Sequence, residues 1–498
     1  MTENLQDLLV AAAARWPDAV AVKTSDGKVT YGELNRRADL FAGTLTAGGV
    51  RRGDRVVLWS PKSADVIAAM QGTLRIGAVY VPVDPLAPPD RVRRIIDDAG
   101  ARVLCAPRAL AAGEAAFQDV ACVDLDSASL GAPTPPTQVR SDSGDLAYLL
   151  YTSGSRGVPK GVCISHGNAL AFIRWFAEEL QAGQQDVFAN HAPFSFDLSV
   201  LDIYVAMTAG ATVAIVPPDM AYTPKLLVEF LHQENITVWY SVPSVLMLMQ
   251  RDGELASWPA PKELRALLFA GEPFPIPYVR ELAGWTTARL LNLYGPTETN
   301  VCTYRQVRAA DLEREVPVPI GRACSGNRVW ARRPDGTVAR PGEEGELVVD
   351  GPTVFQGYWG RERQEGPYAT GDRVRVCGDG SFDYLGRGDD VVKIRGNRID
   401  LGDVATALHG HPGVADVAVV AVGGGLERRL VAFVVRRPEE MFGQVSLRRH
   451  LAGHVPPYMI PQDLRFVPEL PRTTRGKIAT GKLRAQAVEK EGTHGNAP

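Results

Sequence analysis

A chain of 498 residues with 45% apolar composition can bury at least two hydrophobic cores. Its formal net charge of -3 leaves no basic footprint for nucleic acid or for an anionic membrane surface. Residues 1–20 lack a basic n-region and read as an amphipathic helix rather than a signal peptide. No apolar run reaches the roughly 18 residues of a membrane span, so a cytoplasmic protein is expected.

Six cysteines, at 105, 122, 163, 302, 324 and 377, show neither a CxxC pair nor zinc-ligand spacing, as expected of reduced thiols. Of the 54 basic residues ten are lysine. A lysine inside a glycine-rich or catalytic-looking segment is therefore informative, because an ammonium and a guanidinium do different chemistry.

In chain order, Tyr31–Gly43 reads as a helix, Arg55–Ser60 as a strand, Ala64–Ile76 as a helix and Val79–Val83 as a strand. Arg91–Ala99 is then helical and Arg102–Cys105 strand-like. This βαβ rhythm continues through Val213–Val216, Val238–Tyr240 and Ala266–Phe269, and predicts mostly parallel sheets covered by helices. From about Pro317 the texture changes to short alternating strands (GELVVDG, RVRVCGDGSFDYLG), which predicts hairpins or a small barrel-like subdomain. After GRGDD the order becomes a strand, a helix (Asp400–His409), two strands (Ala415–Val422, Arg429–Val435) and a helix (Ser446–Leu451). The predicted fold class is α/β. A large N-terminal domain (1–388) precedes a small mobile α+β domain (389–498), and the last residues, EGTHGNAP, read as disordered.

Five segments carry chemistry. LAYLLYTSGSRGVPKG (146–161) runs from an apolar strand into a loop of small and hydroxyl residues ending at Lys160. Backbone N–H groups there can approach phosphate oxygens, although the spacing is not that of a Walker A loop. NLYGPTETN (292–300) offers an aromatic for a purine, a turn, then a hydroxyl and a carboxylate suited to phosphate and Mg²⁺. YATGD (368–372) ends in an acid able to accept two ribose hydroxyls. GRGDDVVKIRGNR (386–398) is basic and glycine-punctuated, and TTRGKIATGKL (473–483) places Lys477 after a glycine near the C-terminus. The first alone is as readily a flexible surface turn, and each of the other four is more often a solvated turn than a site.

In this order, together with VTYGEL (29–34), IGAVYVPVDP (76–85) and GHVPPYMIP (453–461), these segments resemble the adenylate-forming superfamily. That group holds acyl-CoA synthetases, luciferases and the adenylation domains of nonribosomal peptide synthesis, and the resemblance covers nearly the whole chain. It implies that Thr152, Ser153, Gly154, Ser155, Gly157 and Lys160 hold the ATP pyrophosphate. By motif match, Tyr294 stacks on adenine, with Asn292, Gly271 and Glu272 at its border, while Asp372 and Arg387 hold the ribose. Thr297 contacts the α-phosphate, Glu298 binds Mg²⁺, and Lys477 bridges the substrate carboxylate and α-phosphate. Asp389 stands at the hinge about which the small domain turns, and Lys393–Gly396 forms the face presented for attack by a pantetheine thiol. Three residues depart from the family pattern: Arg156 in place of threonine, and Arg475 and Ala479 in place of asparagine and aspartate.

HAPFSFDLSVLDIY (191–204) is the substrate-side motif. A carboxylate on this apolar stretch is costly to bury unpaired, and in amino-acid-activating relatives the aspartate matching Asp197 holds the α-ammonium. The remaining pocket positions carry over to Leu198, Leu201, Tyr240, Leu268, Ala270, Leu293, Val301 and Cys302, with Lys477. One anion, one cation and an apolar wall suit a zwitterion with a small hydrocarbon side chain. The set resembles that of stand-alone prolyl ligases that begin pyrrole-2-carboxyl biosynthesis. The expected partners are ATP with Mg²⁺, L-proline, and a separate carrier protein with a phosphopantetheine arm. D-Alanine–carrier ligation is the rival reading, and acyl-CoA synthesis a further one.

Overall fold

The computed structural model describes residues 4–111, 114–127, 130, 139, 141–153, 159–388, 390–438, 440–472 and 478–489. The chain separates into two compact units. One holds Met1–Pro85, Ile95–Tyr151 and Gly161–Gly388, the other Leu86–Arg94, Thr152–Lys160 and Asp389–Pro498.

Among the described residues the large unit is built on nine-, six- and four-stranded sheets. The nine-stranded sheet has a parallel centre. Val20–Thr24, Thr212–Ile215, Val187–Asn190, Val238–Ser241, Ala266–Ala270 and Arg289–Tyr294 lie side by side in that order. Antiparallel strands close both edges: Gly27–Thr30 at one, Thr303–Gln306 and Arg322–Ala323 at the other. The six-stranded sheet contains Arg55–Trp59, Val79–Val83 and Val103–Ala106 in parallel, the strands predicted by the βαβ rhythm. Every residue of Val79–Val83 is buried, as a strand covered on both faces requires.

Helices begin where hydroxyls meet free N–H groups. Thr30 Oγ1 accepts from Glu33 N ahead of Tyr31–Ala47, and Ser63 Oγ accepts from Val66 N ahead of Ala64–Arg75. The change of texture after Pro317 becomes a four-stranded antiparallel meander, Arg328–Arg332, Glu344–Asp350, Tyr368–Val376 and Phe382–Arg387. No described helix is long and apolar enough to cross a membrane.

In the small unit, Val414–Val422 and Arg429–Arg436 pair antiparallel and Asp463–Phe466 adds in parallel. Helices Leu401–His409 and Gln444–Ala452 contribute Val404, Leu408, Leu447 and Leu451 to its core. A tight hairpin joins Val391–Ile394 to Asn397–Asp400. Its two turn residues, Arg395 and Gly396, have φ of 48° and 79°, the sign pattern of a type I′ turn.

Candidate active site

Open parallel sheets bind ligands beyond the carboxyl ends of their strands, and the candidate residues of the large unit gather there. In register, Tyr240 lies beside Leu268, and Ala270 beside Leu293. Side chains alternate along a strand, so Tyr240, Leu268, Ala270 and Leu293 share one face while Asn292 and Tyr294 occupy the other. The single run Asn292-Leu293-Tyr294 thereby serves two compartments. Leu201 and Val301 are buried in the same core as the first four, and Leu198 packs against it. Cys302 is not brought together with them. It is fully buried with Tyr294, Ile320 and Val374, and its thiol donates to Tyr294 O at 3.6 Å. Val301 and Cys302 lie in the turn ahead of the strand Thr303–Gln306, outside the ladder, and enter different cores.

Asp197 occupies the N-cap position of helix Leu198–Ala209, but its side chain makes no capping bond. Half-buried, it accepts a hydrogen bond from Thr297 Oγ1 at 2.8 Å on Oδ2. Burial pushes the Tyr240 phenol well above its ordinary range, and the carboxylates of Asp197 and Asp202 push it the same way. The apolar wall thus stands next to negative charge.

On the opposite face, Asn292 Nδ2 donates to Val318 O at 3.1 Å and to Pro319 O at 3.0 Å. Gly271 leaves the strand Ala266–Ala270 at φ 93°, a conformation that disfavours any side chain, and Glu272 Oε2 then accepts from Ser244 N at 3.1 Å. Gly295 is required for a different reason: a Cβ there would lie 1.5 Å from Asn300 O, so the turn after Tyr294 closes only on glycine. Asp372, buried, takes Tyr294 Oη on Oδ2 at 2.5 Å and Arg387 Nη1 on Oδ1 at 3.1 Å. Burial, with Asp372 beside it, raises the Tyr294 phenol well above its usual range. Glu298 is fully buried, and its Oε1 accepts from Tyr358 Oη at 2.7 Å.

Thr152 ends the strand Leu146–Thr152, and Lys160 begins the strand Lys160–Ser165. Ser153 Oγ, within the small unit, donates to Arg398 O at 2.9 Å and accepts from Asp400 N at 3.0 Å. Lys393 pairs with Arg398 across the hairpin that turns at Gly396. Gly154, Ser155, Arg156, Gly157, Asp389, Arg475 and Lys477, with the C-terminal EGTHGNAP, lie outside the described residues.

Motif reading misses several polar side chains around this site: the buried Asn190 and Asp202, the half-buried Lys62, and the half-buried Tyr358 on Glu298. Scarcity of lysine is the one signal in the sequence that singles out Lys62.

This fold and site define a class: the chain belongs to the AMP-binding enzyme family, which matches residues 9–359, and the AMP-binding enzyme C-terminal domain matches residues 403–477. Among its relatives, the L-proline–[L-prolyl-carrier protein] ligase of Pseudomonas fluorescens is 48% identical over 95% of this chain and 97% of its own length. The ligase of the same name from Streptomyces coelicolor is 40% identical over 91% of each. The D-alanine–D-alanyl carrier protein ligase of Bacillus cereus is 31% identical over 97% of this chain and 100% of its own. Among solved structures, o-succinylbenzoate CoA synthetase of Bacillus subtilis superposes with a TM-score of 0.87 at 22% identity. The match covers 97% of this chain and 98% of that one, a likeness of fold.

Proposed function

We propose that the protein uses ATP to activate L-proline as prolyl-AMP and then passes the prolyl group to the phosphopantetheine thiol of a separate carrier protein in the cytoplasm. The observation that carries this reading is Asp197, a half-buried carboxylate beside the wall formed by Tyr240, Leu268, Ala270, Leu293 and Val301. A carboxylate there suits a secondary ammonium, and the wall has no second charge for a longer polar side chain. The prolyl-carrier ligases at 48% and 40% identity support proline over D-alanine, whose ligase stands at 31%. Asp197 also speaks against a simple acyl-CoA synthetase, because a fatty or aryl acid brings no cation to pair with it.

In the first step a proline carboxylate oxygen attacks the α-phosphorus of ATP, and the bond to the β-phosphate oxygen breaks, releasing pyrophosphate. Thr297 and Lys477 hold the α-phosphate and the attacking carboxylate. The loop 152–160 holds the leaving pyrophosphate, and Asp372 and Arg387 hold the ribose. Positioning and charge stabilisation are the main demands of this step. Glu298 fits Mg²⁺, a cation that takes one or two protein carboxylates and fills its shell with phosphate and water. Among the described residues no group of three or more acid, histidine or cysteine side chains gathers for a metal, which suits that mode. When bound, Mg²⁺ supplies positive charge to the phosphates.

In the second step the carrier thiol attacks the prolyl carbonyl, its proton passes to solvent, and AMP leaves. Rotation of residues 389–498 about Asp389 withdraws Lys477 and presents the Lys393–Gly396 hairpin for that attack. The thioester is then a substrate for ring oxidation toward pyrrole-2-carboxyl.

Amino-acid-dependent ATP–pyrophosphate exchange across the proteinogenic amino acids, D-alanine and pipecolate tests this directly. L-Proline should give the dominant signal. A dominant D-alanine signal would overturn the substrate, and no exchange with any acid would overturn the reaction.

A further inference from the structure

Behind the pocket wall lies a polar group that the adenylation chemistry does not use, with Asn190 and Asp202 buried and Lys62 half-buried. Lys62 leaves the turn that precedes helix Ala64–Arg75, one residue before the capping Ser63. Its Nζ donates to Asn190 O at 2.6 Å and His191 O at 3.0 Å. Those carbonyls end the strand Val187–Asn190 and begin the loop that leads to Asp197. Asp202, on the second turn of the helix that Asp197 starts, is 1% exposed and accepts from Asn190 Nδ2 at 3.1 Å. No described donor reaches Asp202 Oδ1, and Lys62 interacts with this carboxyl electrostatically.

Asn190 is therefore gripped twice: its carbonyl by a cation from one helix entry, its amide by an anion on the helix that carries the substrate carboxylate. Both grips converge on the six residues 191–196, whose ends fix where Asp197 stands. Burial makes this arrangement costly unless both charges are present. It drives the Lys62 ammonium down to about 7 and the Asp202 carboxyl well above its usual range.

We propose that Lys62 and Asp202 are a positioning pair that sets the location of Asp197 and thereby the affinity for the amino acid. Neither touches substrate. Lys62 acts through the Asn190 and His191 carbonyls, and Asp202 through Asn190 and through the helix it shares with Asp197. This inference rests on the reading of Asp197 as the ammonium partner.

The test is steady-state exchange with the full-length enzyme, varying L-proline and ATP separately. Lys62→Met keeps the length of the side chain and removes its donors. It should raise the KM for proline at least tenfold while leaving the KM for ATP within twofold. Because one buried charge left alone can unfold the protein, Lys62→Met/Asp202→Leu removes both together. That double variant should keep a cooperative thermal transition and still show the raised proline KM. A proline KM at the wild-type value in the folded double variant, or equal rises in both KM values, overturns the proposal. A silent wild type sinks the amino-acid reading and this inference with it; an active wild type with an unmoved proline KM in the variants sinks this inference alone.

Discussion

Thr297 Oγ1 donates to Asp197 Oδ2 at 2.8 Å, so the hydroxyl assigned to the α-phosphate and the carboxylate assigned to the substrate ammonium satisfy each other. Each proposed ligand must compete for one end of this bond. An ammonium arriving at Asp197 frees the threonine hydroxyl for phosphate, which predicts that the two substrates help each other bind. Coupling of this kind is commonly about 1–3 kcal/mol, roughly 5–150-fold in affinity. Calorimetric titration of a non-hydrolysable ATP analogue should show at least about fivefold tighter binding when L-proline is present. Thr297→Val removes the donor and should bring that ratio close to one. An unchanged ratio in the variant would mean the bond does not link the sites.

Asp197→Ala tests the carboxylate itself. A hydrogen bond to a charged group is worth about 1.5–3 kcal/mol, so the KM for proline should rise by roughly 10–150-fold. At saturating proline the KM for ATP should move little, since bound proline already releases the Thr297 hydroxyl in the wild type and Asn292 and Tyr294 face the other way from the sheet. An equal rise for both substrates would show that the substitution disturbs the turn at Thr297 rather than the ammonium site.

The parallel strands were legible because apolar runs are local properties of the chain, whereas Tyr240, Leu268, Ala270 and Leu293 were named as pocket positions by motif match alone. Val79–Val83 ends where the sequence reading ends it, and Ala64–Arg75 stops one residue short of the predicted Ile76. Cys302 reads as a pocket position by motif, yet it is buried with Tyr294, Ile320 and Val374, because the turn ahead of Thr303 departs from strand alternation. Lys62 had only the scarcity of lysine to single it out, and Asp202 had no signal: a lysine in a turn and an aspartate on a helix are ordinarily solvated. Only the long-range approach of residues 62, 190 and 202 brings them together and buries Asn190 and Asp202. Tyr358 on Glu298 is hidden for the same reason, being 60 residues away in the chain.

The ribose side carries a prediction with two arms. Asp372 already has Tyr294 Oη on one oxygen and Arg387 on the other, so ribose hydroxyls must displace or share these donors. Asp372→Ala removes the acceptor and leaves Arg387 without this partner, and the KM for ATP should rise at least tenfold. Tyr294→Phe keeps the ring and removes only the competing hydroxyl, so the KM for ATP should stay within about threefold while thermal stability falls. Loss of a hydrogen bond to a charged acceptor costs about 1.5–3 kcal/mol, and Arg387 remains to offset part of it. Should the two variants weaken ATP equally, the hydroxyl rather than the carboxylate would be the ribose contact. Exchange kinetics at saturating proline distinguish the two.

Stability should fall on mild acidification, and His166 is a named cause. The ring is buried, its Nδ1 accepts from Leu5 N at 3.2 Å, and burial drives its pKa down to about 4, against partial opposition from Asp145 and Asp7. A histidine titrates near 6.5 when unfolded, so between pH 6.5 and 4 the unfolded chain binds the proton and the folded one does not. The contribution is fully present above pH 6.5 and is lost as pH falls toward 4, on the order of 3 kcal/mol over that window. His191, also driven down to about 4 by burial and by Lys62, adds in the same direction. His166→Asn offers the Leu5 N–H an acceptor that cannot titrate. Its melting temperature should therefore decline less steeply than that of the wild type between pH 6.5 and 4.5, carboxylates contributing equally to both. Parallel declines would show that the ring is protonated in the folded chain over this range and that the bond from Leu5 is not what holds it neutral.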